Sequence, residues 1–333
     1  MRIGIIGYGN VGKAFVKLLK IKNMDLKNLG INPILNYVLD SKGGIYKPKG
    51  ICLDDLFVSE DLKSNVLYDK KINFDFLISN KDIDVLIEMT PTNLKDISLA
   101  QKHIEVALLN NINVITANKA PILFNYKRLK TIADVRNLKL GIGCTVGGAL
   151  PTLNAGLHDL AGPEINSIEA VLNGTSNFVL EQMEKEEITF DDALKEAQRI
   201  GIAETDPTND TSGYDTATKL LILSNILMDL DLKLEDISIK GIENLDVKDV
   251  ISAKNSNLRY KLVGSCIKKH DNIEAEVGLK LVNSDDTLYS INGKNKGVKY
   301  KTDTLGELVI IGGESGPIPA AASILRDIVN LLG

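Results

Sequence analysis

Gly7-Tyr8-Gly9-Asn10-Val11-Gly12 spaces three glycines as GxGxxG. In that pattern the first glycine permits a tight turn, the second lets the backbone approach a pyrophosphate, and the third lets a helix pack closely on a strand. The N–H groups of the helix start then face the phosphate. The same spacing also fits a purely structural glycine turn. A dinucleotide site further needs an acid at the end of the next strand to hold the adenine ribose, and Asp40 stands there. Its charge favours NAD, whereas Ser41 and Lys42 beside it could receive a 2′-phosphate. Asp40 lies farther along than the usual ~20 residues, so Asp25 to Pro33 is expected to hold an insertion.

Asp215 and Lys219 are spaced i, i+4 with the acid first, which puts both on one helix face. An exposed pair of this kind is worth only ~0.3–0.5 kcal/mol. Beyond Lys219, however, Leu220, Leu221, Leu223, Ile226 and Leu227 read as a core helix, and a pair at the mouth of a buried helix suits acid–base work. Glu204 and Asp210, in the polar run before it, could receive a substrate ammonium or simply sit in turns. Glu88-Met89-Thr90-Pro91-Thr92 and Thr116-Ala117-Asn118-Lys119 fall just past the carboxyl ends of two strands, the edge where open α/β sheets bind ligands. Ala120-Pro121 sets a sharp exit there and aims Lys119 at the cofactor cleft; read alone, it is a solvated loop lysine. His103, His158 and His270 are scattered, so proton transfer is left to Lys, Asp or Glu. Cys52, Cys144 and Cys266 are far apart, which indicates neither a disulfide framework nor a thiolate zinc site.

The elements that must position these groups alternate. Strands read at Ile3–Ile6, Ile34–Leu39, Val85–Glu88 and Asn113–Thr116, with turn-rich connections at 28–33 and 41–50. Val11, Phe15, Leu18 and Leu19 line one side of the first helix, opposite Lys13, Lys17 and Lys20. After Leu138, strands read at Leu140–Thr145 and Ile165–Leu172, each followed by a helix. Thr189 opens a helix that Gly201 closes, and a long apolar-striped helix runs from Tyr214 to Met228. Leu258–Lys268 and Ile273–Val282 form a hairpin around Lys269-His270-Asp271-Asn272; a strand at Gly306–Gly312 and a helix at Ile318–Leu332 complete the chain. This is an α/β protein: a Rossmann-like, doubly wound dinucleotide-binding domain over residues 1–137, then an α+β substrate and dimerisation domain with a mixed sheet over 138–312. Residues 313–333 are expected to form a helix that packs back on the first domain. An open sheet face without obvious helices predicts a homodimer.

With 333 residues, 44% hydrophobic and 25% charged, the composition is that of a two-domain globular protein. A net charge of −5 offers no broad basic surface, which argues against nucleic-acid and peripheral-membrane roles. No apolar run approaches the ~18 residues that a membrane span needs, and the first seven residues do not form a signal peptide. A cytoplasmic protein is expected.

Taken in order, Gly7 to Gly12, Thr90-Pro91-Thr92-Asn93, Thr116 to Lys119, Gly174-Thr175-Ser176-Asn177-Phe178 and Gly201 to Lys219 resemble the successive signatures of the homoserine dehydrogenase family, over nearly the whole chain. The resemblance implies NAD(P)-dependent interconversion of L-homoserine and L-aspartate 4-semialdehyde, on the way to threonine and methionine. It gives Lys219 the proton at the substrate oxygen, with Asp215 beside it, and makes Lys119 a second essential lysine near the nicotinamide. It places Glu204, Asp215, Asp210, Gly174 and Thr175 on the substrate, and Asn10, Val11, Thr90, Gly201 and Gly316 on the cofactor. It also implies a monovalent cation, Na or K, on the backbone carbonyls of Val146, Gly148 and Leu150. The chain departs from the family pattern twice: Gly143-Cys144 stands where a cation-binding Glu belongs, and Gly312-Gly313-Glu314-Ser315-Gly316 replaces GxGAG. The carboxylate of Glu314 would weaken a preference for a phosphorylated cofactor. With the chain ending at Gly333, no regulatory domain or fused aspartate kinase is expected. Two rival readings keep the glycine loop: a dehydrogenase of another small amino acid, and a non-catalytic dinucleotide-binding regulator.

Overall fold

The computed structural model describes residues 1–59, 61–269 and 272–332. It divides into two compact units: Met1–Ala149 with the segment from Gly316 on, and Leu150–Ser315.

The first unit is built on six strands in the order β3-β2-β1-β4-β5-β6. These are β1 (Arg2–Ile6), β2 (Ile34–Leu39), β3 (Gly44–Tyr46), β4 (Val85–Glu88), β5 (Asn113–Thr116) and β6 (Leu140–Gly141). All neighbours are parallel except β3, which runs antiparallel on β2. β1, β2, β4 and β5 are short, nearly uniform apolar runs because crossover helices cover both faces of a parallel sheet. The helices Asn10–Ile21, Ser98–Leu109 and Lys119–Val135 supply that cover. The chain leaves β1 for β2 on one side and returns to β4 on the other, so the strand order reverses between β1 and β4, where such sheets bind ligands. The C-terminal helix Pro317–Leu332 buries Ala321, Ile324 and Ile328 in the same core as Phe15, Val16 and Leu19.

Three local expectations change here. The insertion before β2 holds a short helix, Asn23–Asn28, which buries Leu26. The connection 41–50 contains the edge strand β3. The strand expected over Leu140–Thr145 pairs only at Leu140 and Gly141. From Ile142 the chain turns, with the Thr145 N–H on the Ile142 carbonyl at 3.0 Å. Gly147 (φ +87) and Gly148 (φ +63) then adopt left-handed conformations that no strand contains. Because β6 pairs with β5 and the Gly143 N–H donates to Asp327 Oδ2 at 2.8 Å, the first unit extends past Asn137 to Ala149.

The second unit carries a sheet in the order β12-β11-β7-β9-β10-β8. Its strands are β7 (Ile165–Val171), β8 (Ser238–Ile239), β9 (Arg259–Lys269), β10 (Asn272–Val282), β11 (Lys296–Thr302) and β12 (Glu307–Gly312). β8 runs parallel to β10 and the other pairs are antiparallel, so the sheet is mixed. The β9–β10 hairpin is in register from Asn272↔Lys269 to Val282↔Arg259; its tip residues His270 and Asp271 lie outside the described residues. The helix Tyr214–Leu227 buries Thr216 to Thr218 and Leu220 to Ser224. Thr216 and Leu220 pack on Gly264 of β9, where a Cβ would lie 3.2 Å from the Thr216 methyl. Among the described residues no helix is long and apolar enough to cross a membrane.

Candidate active site

In the first unit the first and third glycines of the loop are fixed by packing. Gly7 has φ +96, and a Cβ there would lie 2.5 Å from the Met89 carbonyl. A Cβ at Gly12 would strike the Gly7 carbonyl, whereas at Gly9 it would meet nothing within 4 Å. Gly7 and Gly12 are therefore required by the protein's own packing, and Gly9 exposes bare backbone to open space. That space is a cavity of about 830 Å³, lined among others by Gly7, Gly9, Asn10, Val11, Asp40 and Ser41. The helix Asn10–Ile21 begins at its edge with no side-chain cap, and its first N–H groups lack intrahelical acceptors. A cavity lined by bare glycine and a helix N-terminus fits a dinucleotide pyrophosphate. Asp40 suits the ribose end. Its Oδ1 accepts the N–H groups of Lys42 (2.7 Å) and Gly43 (3.0 Å) and the Tyr68 hydroxyl (2.9 Å), which fixes the carboxylate at the cavity wall.

At the carboxyl end of β4, Glu88 is fully buried. It accepts the Thr90 N–H (3.1 Å), the Thr90 hydroxyl and the Thr116 hydroxyl (3.0 Å), which pins Thr90 to the cavity rim. His103 Nδ1 lies 3.9 Å from the same carboxylate. Asn118 caps the next helix by accepting the Ala120 N–H, and its amide reaches the Thr90 carbonyl at 3.2 Å. Lys119 is the first residue of that helix and half-buried, with its N–H on the Thr92 hydroxyl at 3.3 Å. The Asn118 bonds thus tie the start of the Lys119 helix to Thr90 and Pro91, which line the cavity.

In the second unit the expected pair is present. Lys219 Nζ bonds the Asp215 carboxylate and the Leu172 carbonyl (2.8 Å), and both side chains of the pair are only 14% exposed. Asn173 organises the acids around it. Its Oδ1 caps the helix Gly174–Glu186 by accepting the Ser176 N–H at 2.9 Å. Its Nδ2 donates to Asp210 (2.6 Å) and Asp215 (2.9 Å). One amide thereby holds two carboxylates side by side, beside a lysine and a helix start. Gly174 opens that helix against Lys294, whose carbonyl would lie 2.8 Å from a Cβ, and the Thr175 hydroxyl donates to the Ile202 carbonyl at 3.3 Å.

Other expected residues stand apart from this network. Gly201 (φ +75) closes the helix Phe190–Arg199, which Thr189 caps as predicted. Glu204 lies in the exposed loop beyond it, and among the described residues no hydrogen bond joins its side chain to Asp210, Asp215 or Lys219. Gly316 (φ +127) opens the C-terminal helix, its carbonyl accepting the Ala320 N–H at 3.1 Å. Of the residues implied for a cation, Gly143 offers no carboxylate where the family has a Glu, and the Leu150 carbonyl accepts the Thr152 N–H at 2.8 Å.

Two residues of the second site were missed in the sequence, Asn173 and Lys296. Asn173 carried a readable signal, an Asn directly before a helix start. Lys296 did not: it sits on β11, whose three lysines disguise the strand, yet it is 5% exposed and donates to the Gly313 carbonyl at 3.2 Å. Burial, reinforced by the Lys219 charge, pushes its ammonium down to about 8, with Asp215 acting in the opposite direction.

The family model for homoserine dehydrogenase matches residues 151–329. The chain is 35% identical to the homoserine dehydrogenase of Methanocaldococcus jannaschii, over 99% of this chain and 98% of that one. It is 32% identical to the NAD(+)-dependent homoserine dehydrogenase of Pseudomonas canavaninivorans, over 99% and 96%. Its fold is similar to that of a hyperthermophilic archaeal homoserine dehydrogenase solved with NADPH, with a TM-score of 0.82 at 26% identity over 99% and 97% of the two chains. On the matched residues, the full-length relatives and the shared fold, the chain belongs to the homoserine dehydrogenase family.

Proposed function

We propose that this chain interconverts L-homoserine and L-aspartate 4-semialdehyde, with NAD or NADP carrying the hydride to or from the substrate carbon. The observation that carries the reading is Lys219, held by Asp215 and the Leu172 carbonyl beside two carboxylates that share the Asn173 amide. In the reducing direction the Lys219 ammonium hydrogen-bonds the carbonyl oxygen and delivers its proton as the alkoxide forms. A cation placed in advance against developing negative charge is the kind of assistance that lowers such barriers most. In the oxidising direction the neutral amine accepts the hydroxyl proton. Asp215 keeps Lys219 on station through their i, i+4 spacing. Asp210 and Asp215, joined by Glu204 from the 201–207 loop, take the substrate ammonium. Lys119, in the first unit, works beside the nicotinamide.

Asp40, with its carboxylate pinned at the cavity wall, favours the unphosphorylated cofactor, since a 2′-phosphate would meet a negative charge there. No step here runs through a monovalent cation. The chain acts as a homodimer joined through the second sheet. Val263, Ser265 and Ile267 of β9 and Glu276, Gly278 and Lys280 of β10 line an open groove of about 870 Å³ on the face opposite Gly264. A cytoplasmic location suits this reaction.

Lys219→Ala tests the assignment. It should lower kcat by about 10²–10⁴ with little change in KM, and an unchanged kcat removes Lys219 from the chemistry. Glu204→Ala should instead raise the KM for homoserine with kcat largely retained, and an unaltered KM would sink its role.

A further inference from the structure

We infer that Lys296 forms, beside the Asp215–Lys219 pair, the subsite for the α-carboxylate of the amino-acid substrate. This deepens the proposed reaction and rests on it. β11 runs antiparallel to β7 and their register ends at Gly297 opposite Val171, so Lys296 and Leu172, the residue whose carbonyl holds Lys219, are the next residues at that end of the pair. Opposed residues of an antiparallel pair are nearest neighbours across the ladder. The Lys296 side chain is buried and fastened to the Gly313 carbonyl at 3.2 Å, and the charges of Lys219 and Asp215 both act on it. The charged groups that act on it include Lys219, Asp215 and Lys294. Lys294 packs against Gly174, which brings the same loop to the first turn of the helix Gly174–Glu186.

The chemistry of the substrate calls for such a group. An amino acid enters as a zwitterion, and each of its charges must be matched once water is excluded. Asp210 and Asp215 answer the ammonium, and Lys219 is committed to the reacting oxygen. The carboxylate needs a cation within the span of a four-carbon skeleton, and buried Lys296 is placed to supply it. The N–H groups of Gly174 and Thr175, ahead of the Ser176 N–H that Asn173 caps, assist, since a helix start favours an anion. Binding the carboxylate would also hold Lys296 in its charged form, against the burial that depresses it.

The test compares L-homoserine with 3-amino-1-propanol, which keeps the amine and the hydroxyl but lacks the carboxylate, on the intact chain with saturating cofactor. Lys296→Met should raise the KM for homoserine about 30-fold or more, leave kcat largely intact, and leave the amino alcohol unaffected. Lys296→Arg should restore much of the discrimination. An unchanged KM for homoserine, or an equal loss toward both compounds, overturns the inference. Should the Met variant not fold, the wild-type protein is assayed with homoserine amide: a KM raised by a similar factor supports the subsite, and a KM equal to that of homoserine overturns it. A wild-type protein that turns over neither homoserine nor its amide refutes the proposed reaction itself, a result distinct from either variant outcome.

Discussion

Asn173 does two jobs that a pair of substitutions can separate. Its Oδ1 caps the Gly174 helix, while its Nδ2 donates to Asp210 and Asp215 at 2.6 and 2.9 Å. Asn173→Ala removes both: about 1 kcal/mol for the cap and about 1.5 kcal/mol for each bond to a charged acceptor, the low end because the Asp215 side chain retains some exposure. The sum, about 4 kcal/mol, corresponds to a fall in Tm of roughly 8–16 °C for a unit of this size. Asn173→Asp keeps the capping oxygen but puts a third carboxylate where the donor stood. Like charges at about 2.8 Å repel by up to roughly 6 kcal/mol at an effective dielectric constant of 20, so at about pH 8 this variant should be at least as unstable as the alanine variant. The two then diverge in acid. In the Asp variant the crowded carboxylates bind a proton more tightly folded than unfolded, so stability returns as pH falls through their raised folded values and is fully regained below the unfolded value of ~3.9. The alanine variant has no such recovery. With no Trp in the chain, urea unfolding is best followed by far-UV circular dichroism. An Asp variant as stable as wild type at about pH 8, or one with the pH slope of the alanine variant, refutes the network.

Three shorter predictions follow from the same geometry. Gly9→Ala should fold normally, since its Cβ meets open space, but should weaken cofactor binding; Gly7→Ala should lower Tm itself, because its Cβ collides with the Met89 carbonyl at φ +96. Calorimetry and cofactor titration read the two effects separately. Asp40→Ala should move the ratio of kcat/KM for NAD over NADP toward NADP, and an unmoved ratio removes Asp40 from cofactor choice. Lys261 is buried against the Asn177 amide oxygen, and burial pushes its ammonium down to about 8, with Glu181 opposing. The unfolded chain therefore holds this proton more tightly, and unfolding free energy should rise from about pH 8 toward ~10.4. Lys261→Met should roughly halve that rise, leaving the comparable slope that Lys296, likewise pushed down to about 8, contributes in the same direction.

The legible parts of the chain were those in which one physical demand governs the residue choice. β2, β4 and β5 have the predicted bounds because strands buried on both faces leave room only for apolar runs. The Asp215–Lys219 pair was visible because helical spacing alone puts the two on one face. β11 was hidden because its lysines serve tertiary partners instead of marking an exposed face: Lys296 is buried at the site, and Lys299 pairs with Glu169 and Asp286. The turn after β6 was misread because Ile142, Cys144 and Thr145 look like strand residues, whereas the Thr145 N–H folds back onto the Ile142 carbonyl. Asn173 escaped notice for a related reason: an N-cap is a local signal, and its bonds to Asp210 and Asp215, 37 and 42 residues away, exist only once the helices are packed.

The most direct test of the account is the absorbance of reduced nicotinamide when the purified chain meets L-homoserine with NAD or NADP at mildly alkaline pH. Reduction that requires L-homoserine, is faster with NAD, and disappears in Lys219→Ala is the predicted result. Cofactor binding without homoserine-dependent reduction, or turnover that survives the loss of Lys219, would contradict it.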